Sequence, residues 1–313
     1  MKRRPVAVTG GSGFIGSSVV DALVDAGHPV RVLDPQAPHR DDVDWRRVDV
    51  LDLDDLTKEL DGSGPVFHLA AMADVNDVIA APAQATQVNV VGTVNVLEAA
   101  RRSDAGRVIL ASTVWVYDAT RGERVDETTP FDPDTNRHLY VSTKIAAELA
   151  CRDYLTLYQR PFTVLRLGIP YGPRMRDVLV VARFVRAALA GTPITIAGTG
   201  EQQRNYVFVG DIADAHVRAL SPAAADQVLA LEGGTPVSVR EIADTVRELI
   251  RPVPVEYVPA RTADYQGVGV SNRRAKEVLD WSPETSFVVG VRRYLDWLTT
   301  ASAEDTGSTG SNL

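Results

Sequence analysis

Cysteine is nearly absent. The chain has 313 residues and one cysteine, Cys151, so it can close no internal disulfide and offers no cysteine spacing for a metal. Cys151 lies among Ala146, Ala147 and Leu149, the surroundings of a small buried residue. No apolar run reaches the roughly 18 residues of a membrane helix. No secretory leader opens the chain. Together these absences predict a soluble cytoplasmic protein with no membrane partner. A basic surplus is also missing. Lys+Arg number 33 against 41 for Asp+Glu, a net charge of −8, which argues against nucleic acid as a partner. Local arginines can still serve a phosphorylated ligand. No internal repeat occurs. The hydrophobic content is 45%, enough for a sizeable core in one large or two smaller domains.

What is present begins with Val6-Ala7-Val8-Thr9-Gly10-Gly11-Ser12-Gly13-Phe14-Ile15-Gly16. An apolar strand, a glycine turn and an amphipathic helix ending near Ala26 follow from it. Gly10 permits a sharp turn, Gly13 lets a pyrophosphate approach the backbone, and Gly16 lets the helix pack closely on its strand. The free N–H groups at the helix start, around Phe14 and Ile15, would face the phosphates. A second strand, Val30–Leu33, ends in Asp34, about 20 residues on, where an acid hydrogen-bonds an adenosine ribose. A carboxylate there repels a 2′-phosphate, so NAD is expected rather than NADP.

Further strands are expected at Trp45–Val50, Pro65–Ala71, Arg107–Ala111 and Thr163–Leu167, with helices at Asp52–Leu60 (capped by Asp52) and Gln84–Arg102. The alternation predicts an α/β chain, a Rossmann-like doubly wound parallel sheet. The loop Gly168–Pro173 opens a second half of shorter pieces. These are a helix at Val178–Ala190, strands at Ile194–Ile196 and Tyr206–Phe208, helices at Asp211–Leu220 and Ser238–Ile250, and a proline-rich stretch. The expected division is a NAD-binding domain over 1–170, a smaller mixed α/β C-terminal substrate lobe over 171–300, and a disordered polar tail over 301–313.

The chemistry centres on Tyr140-Val141-Ser142-Thr143-Lys144. Positions four apart share a helix face. A free tyrosine, with a pKa of about 10, is a poor base near neutrality. A neighbouring ammonium and a positive nicotinamide would stabilise the phenolate, which could then take a proton from a substrate hydroxyl as hydride leaves the carbon. Lys144 could also hold the nicotinamide ribose. Ser112 and Thr113 end a strand, and the Thr113 hydroxyl can bond the reacting oxygen.

With these residues assembled, the chain resembles the extended short-chain dehydrogenases/reductases of the NAD-dependent epimerase/dehydratase family, which act on nucleotide sugars. The likeness spans roughly residues 5 to 298. It is carried by Thr9–Gly16, Asp49-Val50, His68-Leu69-Ala70-Ala71, Asn89-Val90-Val91-Gly92-Thr93, Ser112–Tyr117 and Tyr140–Lys144. The resemblance implies that Asp49 and Val50 border the adenine, that Leu69, Ala70 and Ala71 lie along the cofactor, and that Asn89 and Ser112 sit near it. It also implies a homodimer through helices near 88–102 and 142–158, for which Val91, Leu149 and Leu155 supply apolar residues. On the substrate side, Arg204 and Arg261 resemble the family's two arginines on the nucleotide diphosphate, where a guanidinium can bond bidentately.

Val114 and Trp115 follow Thr113 where the family's dehydratases carry acids. Neither can move a proton, which disfavours dehydration. The remaining Thr113, Tyr140 and Lys144 suit a nucleotide-sugar 4-epimerase of UDP-hexose type that oxidises C4 and returns the hydride to the other face. A 4-keto-sugar-nucleotide reductase is the alternative, and a non-catalytic dinucleotide-binding regulator a further one. Ile169 stands where epimerases usually carry Asn, and Val78 where relatives often have a small hydroxyl residue, so sugar and nucleotide stay open.

Overall fold

The computed structural model describes residues 3–117, 124–131, 138–259 and 269–307. Its strands in chain order are β1 (Val6–Thr9), β2 (Val30–Leu33), β3 (Asp44–Arg46), β4 (Val66–His68), β5 (Val108–Thr113), β6 (Arg124–Val125) and β7 (Phe162–Leu167). They continue as β8 (Ile169–Tyr171), β9 (Ile194–Ala197), β10 (Gln203–Phe208), β11 (Gln227–Leu231), β12 (Pro236–Ser238), β13 (Val255–Val258) and β14 (Gly269–Val270). The chain forms two compact units. One comprises Met1–Gly168, Ile212–Glu232 and Val268–Ser282, and the other Ile169–Asp211, Gly233–Gly267 and Pro283–Leu313. The chain therefore leaves the first unit near residue 168 and returns to it twice, a course that the sequence pattern does not suggest.

The first unit is built on a seven-stranded sheet of order β11-β7-β5-β4-β1-β2-β3, with every pairing parallel. All residues of β1, β5 and β7 are buried, as a sheet covered on both faces requires. The helix Phe14–Asp25 buries Val19, Val20 and Leu23. The helix Leu53–Leu60 buries Leu56 and Leu60 and is capped by Asp52, whose side chain accepts from the Asp55 N–H at 2.9 Å. Each fully buried leucine contributes about 1.5–3 kcal/mol. Winding reverses between β1 and β4, and ligands of such sheets bind outside the strand ends at that crevice.

Several elements differ from the sequence reading. The third strand covers only Asp44–Arg46. The long helix expected from Gln84 is α-helical at Pro82–Thr86 and Gly92–Arg102, with a π turn at Gln87–Val91 between them. The apolar spacing of Val88, Val91, Val94 and Leu97 cannot distinguish the wider turn from a regular one. Edge strand β11 was not read from the sequence, because its apolar run Val228–Leu231 has no pattern to separate it from a helix. The helix Phe287–Gly307 continues into the polar end expected to be disordered. Ala301, Ala303 and Glu304 are good helix formers, and extending a formed helix costs less than starting one.

In the second unit, β10 pairs with β8 in parallel and β12 antiparallel, and β9 pairs with β13. The expected loop Gly168–Pro173 thus contains a strand, because Ile169 to Tyr171 find backbone partners in Tyr206 to Phe208. This unit buries mostly aliphatic residues and holds one aromatic cluster. Tyr171 lies 5.0 Å from Phe287, 5.8 Å from Phe208 and 6.2 Å from Tyr206, centroid to centroid. The helix Val239–Leu249 starts with a reciprocal Ser238–Glu241 capping box. Among the described residues, no helix is long and apolar enough to cross a membrane.

Candidate active site

The glycine turn follows β1. Gly10 adopts φ +72°, and a Cβ there would fall 2.5 Å from the Ala70 nitrogen. A Cβ on Gly16 would meet the Gly10 carbonyl oxygen at 1.9 Å. The turn therefore packs against the end of β4 and its own helix with no room for side chains. A Cβ on Gly13 would meet only the Gly10 oxygen at 3.4 Å, an ordinary contact. The helix Phe14–Asp25 begins at Gly13 with no capping side chain and no acid in its first turn, so its first N–H groups stay available to an anion. Phe14 and Ile15 are half-buried.

Asp34 ends β2 and is buried. Its Oδ2 accepts from the Ser12 N–H at 3.1 Å and its Oδ1 from the Gln36 N–H at 2.9 Å. Two N–H groups leave further lone pairs on the carboxylate for hydroxyl donors. An uncapped helix start, an open glycine face and an oriented carboxylate fit an adenosine pyrophosphate. Leu69, Ala70 and Ala71 are half-buried at the end of β4. Asp49 is exposed, and Val50 is buried against Gly92, 2.8 Å from where a Cβ would be.

Asn89 is buried in the π turn and committed to the protein. Its Oδ1 accepts from the Met72 N–H at 2.8 Å, and its Nδ2 donates to Met72 O at 2.9 Å and Thr143 Oγ1 at 3.1 Å. It ties the turn to the helix Leu139–Tyr158. That helix carries Tyr140 and Lys144 one turn apart, both facing the end of β5. The Tyr140 phenol shares a hydrogen bond with the Thr113 side chain. Lys144 is buried, donates from Nζ to Ala111 O at 2.9 Å, and lies 6.0 Å from the centre of the Tyr140 ring. Thr113, Tyr140 and Lys144 are thus brought together.

Electrostatics correct the sequence argument in one respect. In the protein alone, burial pushes the Tyr140 phenol up to about 12, with the Thr113 hydrogen bond opposing. Burial also pushes Lys144 down to about 8, opposed by the charge of Glu148. Desolvation disfavours both charged forms, so the lysine alone does not supply a ready phenolate.

Ser112 also departs from its expected place. Its hydroxyl donates to Glu148 Oε1 at 2.6 Å. In register with Arg166 on β7, this hydroxyl is committed to the helix Leu139–Tyr158. Val114 is buried, and Trp115 stands edge-on to Tyr140 at 6.4 Å. Val78 is buried and Cys151 fully so.

In the second unit, a cavity of 310 Å³ is lined by Arg183, Phe184, Gln202, Arg204 and Tyr206 among others. Arg204 lies on β10, beyond the short strand read from sequence, and donates from Nη1 to Gln203 O at 2.7 Å. Arg261 lies outside the described residues. The sequence reading missed Arg183, whose position on an amphipathic helix looks like solvated surface, and the buried pair of Glu148 with Arg166, which a tertiary contact alone creates.

A parallel doubly wound sheet, a glycine turn with an acid closing the next strand, and a Tyr–Lys helix beside a strand-end threonine define an enzyme of the short-chain dehydrogenase/reductase type. Residues 6–230 match the model of the NAD dependent epimerase/dehydratase family, and the chain belongs to that family. Its cofactor is NAD. The resemblance read from the motifs is borne out. A UDP-glucose 4-epimerase of Mycolicibacterium smegmatis is 34% identical over 93% of this chain and 97% of its own length. A UDP-N-acetyl-alpha-D-glucosaminuronate decarboxylase of Bacillus cytotoxicus is 28% identical over 95% of this chain and 98% of its own. The structure of a Thermus thermophilus UDP-glucose 4-epimerase with NAD superposes with a TM-score of 0.84 at 31% identity, covering 95% of this chain and 99% of the other.

Proposed function

We propose that the chain is a UDP-hexose 4-epimerase. The observation that carries this reading is the joining of Thr113, Tyr140 and Lys144, with Val114 and Trp115, neither able to move a proton, directly after Thr113. NAD, when bound, supplies the acceptor for the C4 hydride and a positive nicotinamide ring. The Tyr140 oxygen takes the proton of the C4 hydroxyl. Thr113 Oγ1, anchored by the Trp115 N–H at 3.2 Å, orients that hydroxyl. The Lys144 ammonium lowers the cost of the phenolate. The 4-keto sugar turns over so that C4 takes the hydride back on its other face, and Tyr140 returns its proton to the C4 oxygen. Gly13 and the N–H groups of Phe14 and Ile15 hold the pyrophosphate of the cofactor, and Asp34 its ribose.

Arg204 and its cavity take the nucleoside diphosphate of the substrate. A homodimer belongs to the same reading, supported by the exposure of Val91, Val94, Leu149 and Leu157. Leu155 instead packs partly against the core. The test is NMR of the purified protein with UDP-glucose, UDP-galactose, their N-acetyl forms and UDP-glucuronate, without added reductant. A C4 epimer is expected. Release of CO₂ from UDP-glucuronate would make the protein a decarboxylase. Consumption of NADH with a 4-keto sugar nucleotide, and no turnover without it, would make it a reductase.

A further inference from the structure

Glu148 is fully buried one turn beyond Lys144. It accepts from Ser112 Oγ at 2.6 Å and from Arg166 at 3.0 Å (Nε) and 2.7 Å (Nη2). Arg166 is equally buried, and its Nη1 hydrogen-bonds the Tyr117 hydroxyl. The guanidinium carbon lies 5.0 Å from the ring centres of both Tyr117 and Phe131. Ser112 and Arg166 are register partners on β5 and β7. One carboxylate therefore joins two strands and a helix at the level where Thr113, Tyr140 and Lys144 leave them.

A buried ion pair stabilises a fold no better than an apolar pair of similar volume in many proteins. Stability alone does not account for a charge here, and position does. We infer that Glu148 is a positioning residue: paired with Arg166, it fixes Ser112 at the end of β5 and sets a negative charge one helical turn from Lys144. The inference rests on the assignment of Tyr140, Thr113 and Lys144 proposed above. The groups facing Lys144 are Tyr140 and Glu148 from its own helix, His68 from β4 and the Ala111 carbonyl from β5. Arg166 of β7 reaches it through Glu148. Burial holds His68 down to about 3, so it stays neutral. Glu148 is thus the negative charge that favours the ammonium.

The test compares wild type, Glu148→Gln and the double variant Glu148→Leu/Arg166→Met, each loaded with NAD. The chain has four lysines, Lys2, Lys58, Lys144 and Lys276, so carbon-13 labelling at lysine Cε gives a spectrum in which Lys144 is titrated directly. In the double variant the two charges leave together, while the buried Ser112 and Tyr117 hydroxyls each lose a partner, so thermal unfolding is expected somewhat below wild type with the fold kept. Lys144 should nonetheless lose its proton at lower pH. The kcat for the UDP-hexose that the wild type turns over should fall roughly ten- to hundredfold with KM little changed, and the alkaline limb of its pH profile should move down. A folded variant with unchanged Lys144 titration and kcat would overturn the inference, and so would loss of the fold in both variants. Tyr140→Phe serves as the control. If it retains wild-type turnover, the catalytic assignment fails, while the Lys144 titration still decides the role of Glu148.

Discussion

The two units handle charge in opposite ways. Among the described residues, the buried Asp34, Lys144, Glu148, Arg166 and Glu232 all belong to the first unit. The second buries aliphatic residues beside a cluster of Tyr171, Tyr206, Phe208 and Phe287, and its arginines at 183 and 204 line a cavity. The difference suits the roles proposed for the two units. Proton transfer needs groups held in one geometry and shielded from water, because a charge acts more strongly at low dielectric. Gripping a diphosphate needs cations that the ligand can reach, and each gains a bidentate contact on binding.

Three substitutions probe that contrast. Tyr140→Phe removes the proposed proton acceptor and leaves the packing. Turnover is expected to fall about 10²–10⁴-fold, with NAD affinity by calorimetry and thermal stability kept. Retained turnover would dissolve the distinction at its catalytic end. Arg204→Ala is expected to weaken binding of UDP-glucose about tenfold, the loss of one charge-assisted contact, with NAD affinity unchanged. An equal loss of both ligands would mean that the arginine shapes the fold rather than the cavity.

The smallest effect concerns acid stability. His216 is fully buried in the first unit, its Nδ1 2.8 Å from Ile212 O and its ring 5.5 Å from Phe67. Burial depresses it to about 4 from an unfolded value of 6.5. The unfolded chain binds this proton first. Stability is therefore full above pH 6.5 and is lost as pH falls toward about 4. His68 adds a similar loss that extends to about 3. His216→Leu should flatten the fall of melting temperature between pH 7 and 5, measured by circular dichroism. A slope identical to wild type would show that the burial of this imidazole carries no proton linkage.

The elements of the candidate site were more legible in the sequence than their surroundings. The glycine turn, Asp34 and the Tyr140–Lys144 spacing are local: each motif lies within one turn or helix, and backbone geometry dictates its residue types. The π turn holding Asn89 was hidden, because its apolar residues repeat as those of an α-helix do. The strand Ile169–Tyr171 was hidden too, since a three-residue piece becomes a strand only when Tyr206 to Phe208 supply partners. Arg183 was passed over because a charge on an amphipathic helix reads as solvated surface until a cavity forms beneath it.

By itself, then, the sequence determined a parallel α/β sheet, a dinucleotide turn and the Thr113, Tyr140 and Lys144 set, because periodicity and motif spacing are properties of neighbouring residues. Only the tertiary structure decided that Ser112 faces Glu148, that Arg166 closes the pair from β7, and that burial drives the Tyr140 phenol up. Desolvation and ion pairing depend on what packs around a group, and the residues that pack here come from strands and helices far apart in the chain.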